Sequence, residues 1–528
     1  MTTDTGTEAA DHPRGPRRER LTLLAATLTS GPAELLDFLL PLWAGAALGL
    51  GATEVGVLLA VEMLFSLVAR PFAGVLADTR DRRRVAAAGA LLYAASATGY
   101  ALATGPAPAY LAAALGGIGG ALLWVAVSAI VSERLAADSA VFPRLFSAQE
   151  TGSWVAFVTG FVLLVRIDYT GVFLLCAAAC ATAAVLLLRA PGGPPTAPGE
   201  TDAAHGGIRA VSRRLRPMLL AVALTTTAEA ALSLLLLFLL QREFGLDVMS
   251  IAFVFLPGAI AMSLAAERMH TYVVRFGRAR VLVAASLSGT AFATGLAWAP
   301  NPYVIAALWI LSGLSWAAVM PIQQAVIAEA SGARVGRGMG VYESAGLFGA
   351  LLGALAAGVL YERASWTACC LVAAAILLSG AVISPAAVRR MGVADTPPPA
   401  PAPVPEPAPV PAPVPAPVPA PDAAPEPERE AKPAPEAEPE PSPAPNPPPS
   451  ARALGGHLAL FTAAQLVFLT LDLSWIQDLF TEDLLTTLNG GTPDDGTPGW
   501  IYGAGKIWTY IMLADLLRTG VKLLRARP

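Results

Sequence analysis

The sequence predicts an all-α polytopic membrane protein: twelve helices in two related six-helix bundles, followed by a two-helix membrane hairpin. Composition, segment length and internal repetition predict it. Of 528 residues, 55% are hydrophobic and only 14% charged, with a mean hydropathy of +0.57, which is too apolar for an ordinary soluble globule. Apolar runs of about 18 to 25 residues, each able to cross a roughly 30 Å hydrocarbon core as a helix, recur through the first three quarters of the chain.

Residues 1–20 are polar and read as a disordered cytoplasmic arm, because the apolar stretch beyond them is too long for the core of a cleaved signal. The apolar segments then fall at 21–44, 54–74, 84–104, 108–131, 146–165 and 169–188 in the first bundle (21–189). In the second bundle (217–390) they fall at 217–240, 248–266, 280–298, 302–327, 340–360 and 366–387. Between the bundles, 190–216 is Gly/Pro-rich and then basic: a flexible cytoplasmic loop that ends as an interfacial amphipathic turn. Arginine crowds every second loop, including the knot "DTRDRRR" at 78–84, and leaves the alternate loops almost bare. By the positive-inside bias, both termini are expected to be cytoplasmic.

The two bundles repeat each other. "LLAATLTSGPAE" (23–34) parallels "LLAVALTTTAE" (219–229), "YLAAAL" (110–115) parallels "YVIAAL" (303–308), and Glu150 and Cys176 recur as Glu343 and Cys369, each 193 positions later (343 − 150 = 369 − 176 = 193). Such duplication is common in membrane carriers.

The loop between segments 2 and 3 carries Gly74, Leu76, Ala77, Asp78, Arg82 and Arg83, with Thr79 and Asp81 interrupting the pattern G-x-L-A-D-R-x-G-R-R. A degenerate second copy, "HTYVVRFGRAR", keeps Arg275, Gly277, Arg278 and Arg280. With the helix count and the repeat, this layout over residues 20–390 resembles the major facilitator superfamily. Physically, Gly74 lets two helix ends approach closely, and Asp78 can accept hydrogen bonds from helix N-terminal amides or from an arginine. The resemblance implies that Asp78, Arg82 and Arg83 latch the cytoplasmic side of an alternating-access carrier.

Several acids lie inside apolar segments, where each costs about 2.5–3.5 kcal/mol at mid-bilayer and normally faces a cavity or a partner. Glu34 and Asp37 are three apart on one helical face; Glu229 is the repeat counterpart of Glu34, and Glu62 lies in segment 2. The resemblance places segments 1, 4, 7 and 10 around a central cavity, which makes Glu34, Asp37 and Glu229 the expected proton-coupling or substrate contacts. Against that stand structural roles, such as Glu34 pairing with Gln149 or Thr225. Glu150 and Glu343 are expected at the cytoplasmic ends of segments 5 and 11, either gating against Arg82 or Arg144 or capping a helix. Gln323, Gln324, Trp124 and Trp316 either line the substrate site or pack.

Together these imply a proton-coupled exporter of a small cationic or neutral amphiphilic solute in a bacterial inner membrane. The partners expected are that small molecule, protons and the lipid bilayer, without nucleic acid. Uptake of a neutral solute such as a sugar, or a non-transporting scaffold, are the alternatives. No enzyme signature, metal-ligand spacing or cofactor motif is present: "GAGKIW" (503–508) lacks the phosphate-loop spacing, and the four histidines are scattered. The Pro/Ala-rich linker 391–450 favours extended polyproline II. Beyond it, apolar runs at 457–475 and 500–524 read as a hairpin within 451–528 that could hold a protein partner or a second copy.

Overall fold

In the computed structural model, the described residues are 14–193, 207–246, 248–397 and a few isolated positions beyond 457. The expected hairpin lies outside them, as does nearly all of the linker. Residues 1–406 form one compact unit and 407–528 a second.

Among the described residues of the first unit there are eleven α-helices: α1 (Arg14–Leu48), α2 (Ala52–Thr79), α3 (Arg82–Leu102), α4 (Pro106–Ser132), α5 (Val141–Arg189), α6 (Ile208–Arg242), α7 (Val248–Phe276), α8 (Arg278–Leu296), α9 (Pro302–Ser331), α10 (Val335–Arg363) and α11 (Trp366–Arg390). The long α5 is broken into two arms at Asp168, whose φ of 56° is outside the helical region. The Asp168 carboxylate accepts from Gly171 N at 2.9 Å, which restarts the second arm. Other helix starts follow local chemistry. Asp81 accepts from Arg83 N (3.0 Å) to cap α3, Asn301 from Val304 N (3.0 Å) to cap α9, and Ser365 from Ala368 N (3.2 Å) to cap α11.

Two boundaries differ from the sequence expectation. The arm expected to be disordered through residue 20 is helical from Arg14, because its charges find partners on its own bundle. Arg18 donates to Pro191 O (2.7 Å) and Glu133 (2.9 Å), while Glu19 pairs with Arg134 and Arg144. The central loop is helical from Ile208. There Val211 and Leu215 turn inward while Arg209, Arg213, Arg214 and Arg216 stay at least partly exposed, a helical rather than a turn periodicity.

Within the first half α1 packs on α5, α3 on α4 and α5, and α2 on α4; within the second, α6 packs on α10 and α11, α7 on α9, and α8 on α9 and α11. The halves meet along two seams, α2 with α10 and the first arm of α5 with α7. Large apolar side chains such as Leu64, Phe65, Val68 and Phe72 on α2 and Leu355 and Val359 on α10 are exposed, as expected of a surface covered by lipid. The shared core is dominated by alanine, including Ala25, Ala73, Ala77, Ala126 and Ala330. Small residues let helices approach where lipid offers no hydrophobic drive between them.

Candidate functional site: a charged seam and an acid-lined cavity

At the end of α2, the Asp78 carboxylate sits on the N-terminus of α10. It accepts from Gly336 N (2.7 Å) and Arg337 N (3.1 Å), with Arg337 Nε 3.7 Å away. Unsatisfied amides and the helix dipole make this a natural anion seat. The contact requires glycine on both sides. A Cβ on Gly74 would meet Gly336 O at 2.5 Å and Arg337 Cα at 2.9 Å; one on Gly336 would meet Gly74 O at 2.5 Å.

Arg82 and Arg83 do not reach the other half. Arg82 donates to Ala77 O (3.2 Å), Ala129 O (3.0 Å) and Glu133 (3.1 Å). Arg83 pairs with Asp81 (2.8 Å) and donates to Ala190 O (2.7 Å). They brace the end of the first bundle, so of the three residues given a latch role only Asp78 crosses. Partial burial pulls the Asp81 carboxyl upward, but the Arg83 guanidinium and backbone N–H outweigh it and hold the group below its ordinary range.

A second ion pair crosses the same seam: Arg70 Nη1 lies 2.5 Å from the Glu343 carboxylate, with its Nε on Ser66 Oγ at 3.3 Å. Sequence reasoning missed Arg70. Its signal is a basic residue within an apolar segment, where a charge calls for a partner. Glu343 therefore engages neither Arg82 nor Arg144.

Glu150 also departs from expectation. Because α5 starts at Val141, nine residues place Glu150 about 13 Å along the axis rather than at the helix end. Arg144, its expected partner, is taken by Asp138 (2.5 Å) and Glu19 (2.9 Å). Glu150 instead lines a cavity of about 210 Å³ between the halves, with Phe146 from α5, Glu229 from α6, Met262 from α7, and Trp309, Ser312, Trp316 and Met320 from α9. Glu229 accepts from Ser312 Oγ (3.3 Å) and from the Trp316 side chain.

The remaining acids form a string across the first half. Asp37 is within electrostatic reach of Glu62 and Glu34, and Glu34 of Glu150. Tyr93 lies beside Asp37 and Glu62 and bonds to Trp124. Glu62 is held where α2 crosses α4, close enough that a Cβ on Gly116 would come within 3.2 Å of its carboxylate. Glu34 and Asp37, though surrounded by protein, are open to solvent-sized space. Gln323 and Gln324 do not line the 210 Å³ cavity. Both are buried in α9, and Tyr342 OH donates to Gln323 Oε1 at 3.4 Å.

Two related halves meeting on two seams around an acid-lined cavity define a multi-pass membrane protein of the transporter class. The sequence matches the Major Facilitator Superfamily over residues 22–274 and again over 269–480, and the chain belongs to that family. In fold it is similar to the human organic anion transporter MFSD10, with a TM-score of 0.58 and 19% identity over 70% of this chain and 99% of that one. It is likewise similar to the proton:xylose symporter XylE, with a TM-score of 0.58 and 12% identity over 70% and 95% of the two chains. Over 80 residues, 15% of this chain, it is 44% identical to an uncharacterized 38 kDa protein in the 23S RNA operon of Thermoproteus tenax, and that match spans 21% of the relative.

Proposed function

We propose that this protein is a secondary active transporter that exports a small organic solute, cationic or neutral and amphiphilic, in exchange for protons. The observation that carries the reading is the coincidence of a closed seam with open acids. Asp78 and the Arg70–Glu343 pair lock α2 to α10, while Glu34 and Asp37 remain open to solvent-sized space. With the arginine-rich loops cytoplasmic in a bacterial inner membrane, this is the outward-facing state. Neighbouring carboxylates resist ionising together, so one of them can hold the transported proton. Proton uptake from outside at Glu34, Asp37 or Glu62, followed by release of the α2–α10 seam, then couples the proton to the solute. The 451–528 segment serves as a tethered attachment point for a partner or a second copy.

The test is proton movement in proteoliposomes containing a trapped pH dye, with cationic, neutral and anionic solutes added in turn. Wild type is compared with Glu34→Gln, Asp37→Asn and Glu62→Gln. A solute-driven proton flux opposite in direction to the solute, lost in at least one variant, is the expected result. Solute flux without proton flux would overturn the coupling.

A further inference from the structure

From the cavity between α5 and α9 we infer a binding site for an organic monocation with a single aromatic ring, clamped between Glu150 of one half and Glu229 of the other. The inference rests on the transport reading and goes past it, because it separates the solute contact from the proton carriers and fixes the shape and charge of the solute. Three features of the cavity carry it. Its volume is about 210 Å³; an engineered apolar cavity of about 150 Å³ holds benzene, so one ring and a short ammonium arm fit within it.

The second feature is charge. Glu150 and Glu229 face the same space from opposite halves, and among the described residues neither lysine nor arginine lines it. Glu150 has no hydrogen-bond or ion-pair partner among the described residues, while Ser312 and Trp316 hold Glu229 in place. A carboxylate left without a partner inside a membrane bundle calls for a cation. The third is the wall: Trp309 and Trp316, with Phe146, give π faces that attract a cation and cover an aromatic body. Phe255 already packs edge-on to Trp309 at 4.7 Å and Phe292 at 5.5 Å, which fixes that indole in its rotamer. Asp37 and Glu62 are absent from this lining and stay with the proton, while Glu34, within electrostatic reach of Glu150, stands between the two groups. Because each half contributes one carboxylate, the bound cation draws the halves together around itself.

The experiment is calorimetric titration of the full-length protein in nanodiscs with phenethylammonium and its neutral analogue 2-phenylethanol at pH 7. Wild type is compared with Glu150→Gln, Glu229→Gln and, as a control on an acid outside the cavity, Glu243→Gln. Wild type is expected to favour the cation at least tenfold, each cavity variant to lose most of that preference while still binding the alcohol, and Glu243→Gln to keep it. Binding of the alcohol certifies that a variant is folded, so the preference ratio is read within each protein. Equal affinity for the two ligands in wild type, no binding of the cation, or an undiminished preference in both cavity variants would overturn the site. A flux assay on the same preparation separates this from the transport reading. Cation binding without flux of any solute leaves the site and removes the transporter, whereas flux of other solutes without cation preference does the reverse.

Discussion

The two seams that join the halves occupy equivalent places in the repeat but are built from different chemistry. Where α2 meets α10, the contacts are charged: Asp78 on the amides of Gly336 and Arg337, and Arg70 on Glu343. Where the first arm of α5 and the turn before it meet α7, the hydrogen bonds are neutral: Ser147 Oγ donates to Ser263 O (2.7 Å), Thr151 shares a hydrogen bond with Ser263 (2.6 Å), and Ser139 with His270 (3.0 Å), with Arg144 within electrostatic reach of Glu267 as the one charged contribution among the described residues. A neutral hydrogen bond contributes about 0.5–1.5 kcal/mol and re-forms easily with a neighbour one turn away. A half-buried ion pair or a capped helix end has few alternative partners and opens only when its charge is changed or matched. The neutral seam therefore suits sliding, and the charged seam suits switching.

The duplicated bundles show a related contrast inside each half. Arg82 bonds Glu133 in the first, and Arg278 grips Glu329 with two bonds at 2.5 and 2.8 Å in the second; both members are 196 positions apart (278 − 82 = 329 − 133 = 196). These pairs hold the third helix of each bundle to the end of the fourth, a structural job both copies need. Asp81, which caps α3, has Gly277 as its counterpart. There Asp395, arriving from beyond α11, supplies the carboxylate to Ala279 N (2.7 Å). Asp78 and Arg70, by contrast, align with Val274 and Ala266. Shared features hold the bundle, and the unshared ones mark what the halves do differently.

The largest expected effect comes from Gly74→Val. Backbone atoms face the new side chain, so α2 and α10 cannot close, and solute flux should fall more than about 100-fold while the protein still purifies as a monodisperse species. Retained flux would mean that the charged seam never has to close.

Next is Arg70→Met, which leaves Glu343 without its partner. Breaking such a pair costs about 3 kcal/mol, so the closed state should lose on the order of 100-fold in population. Alkylation of a cysteine placed at Ala77 should speed up accordingly, and the exchanged pair Arg70→Glu with Glu343→Arg should slow it again. Unchanged alkylation in Arg70→Met would make the pair incidental.

The smallest effect is expected from Thr151→Val on the neutral seam. Loss of one hydrogen bond to Ser263 should change flux by no more than about threefold. A loss as large as that of Arg70→Met would erase the distinction between the seams.

Much of this was legible in the chain. Segment lengths made the many-pass helical design legible, because a bilayer imposes one length on every helix that crosses it. Asp78 and Gly74 were legible because their pattern is local. Arg82 and Arg83 were read from the same pattern, yet their guanidinium groups turn inward to carbonyls and acids of their own half. A loop motif specifies charge but not direction. The apolar run that holds Glu150 opens at residue 146, whereas α5 begins at Val141, so the edge of the run does not mark the end of the helix.

By itself the sequence determined that the chain crosses a membrane many times, in two copies of one design, with acids it must place against water or partners. Those properties reside in composition and period, which every residue carries locally. Only the tertiary structure decided which acids meet: Glu150 against Glu229 around a cavity, Glu343 on Arg70, Asp37 beside Glu62. Such pairs join residues far apart in the chain, and their meeting depends on how each helix is rotated and tilted. That rotation is set by the sum of many small alanine and glycine contacts, none of which has a signature of its own.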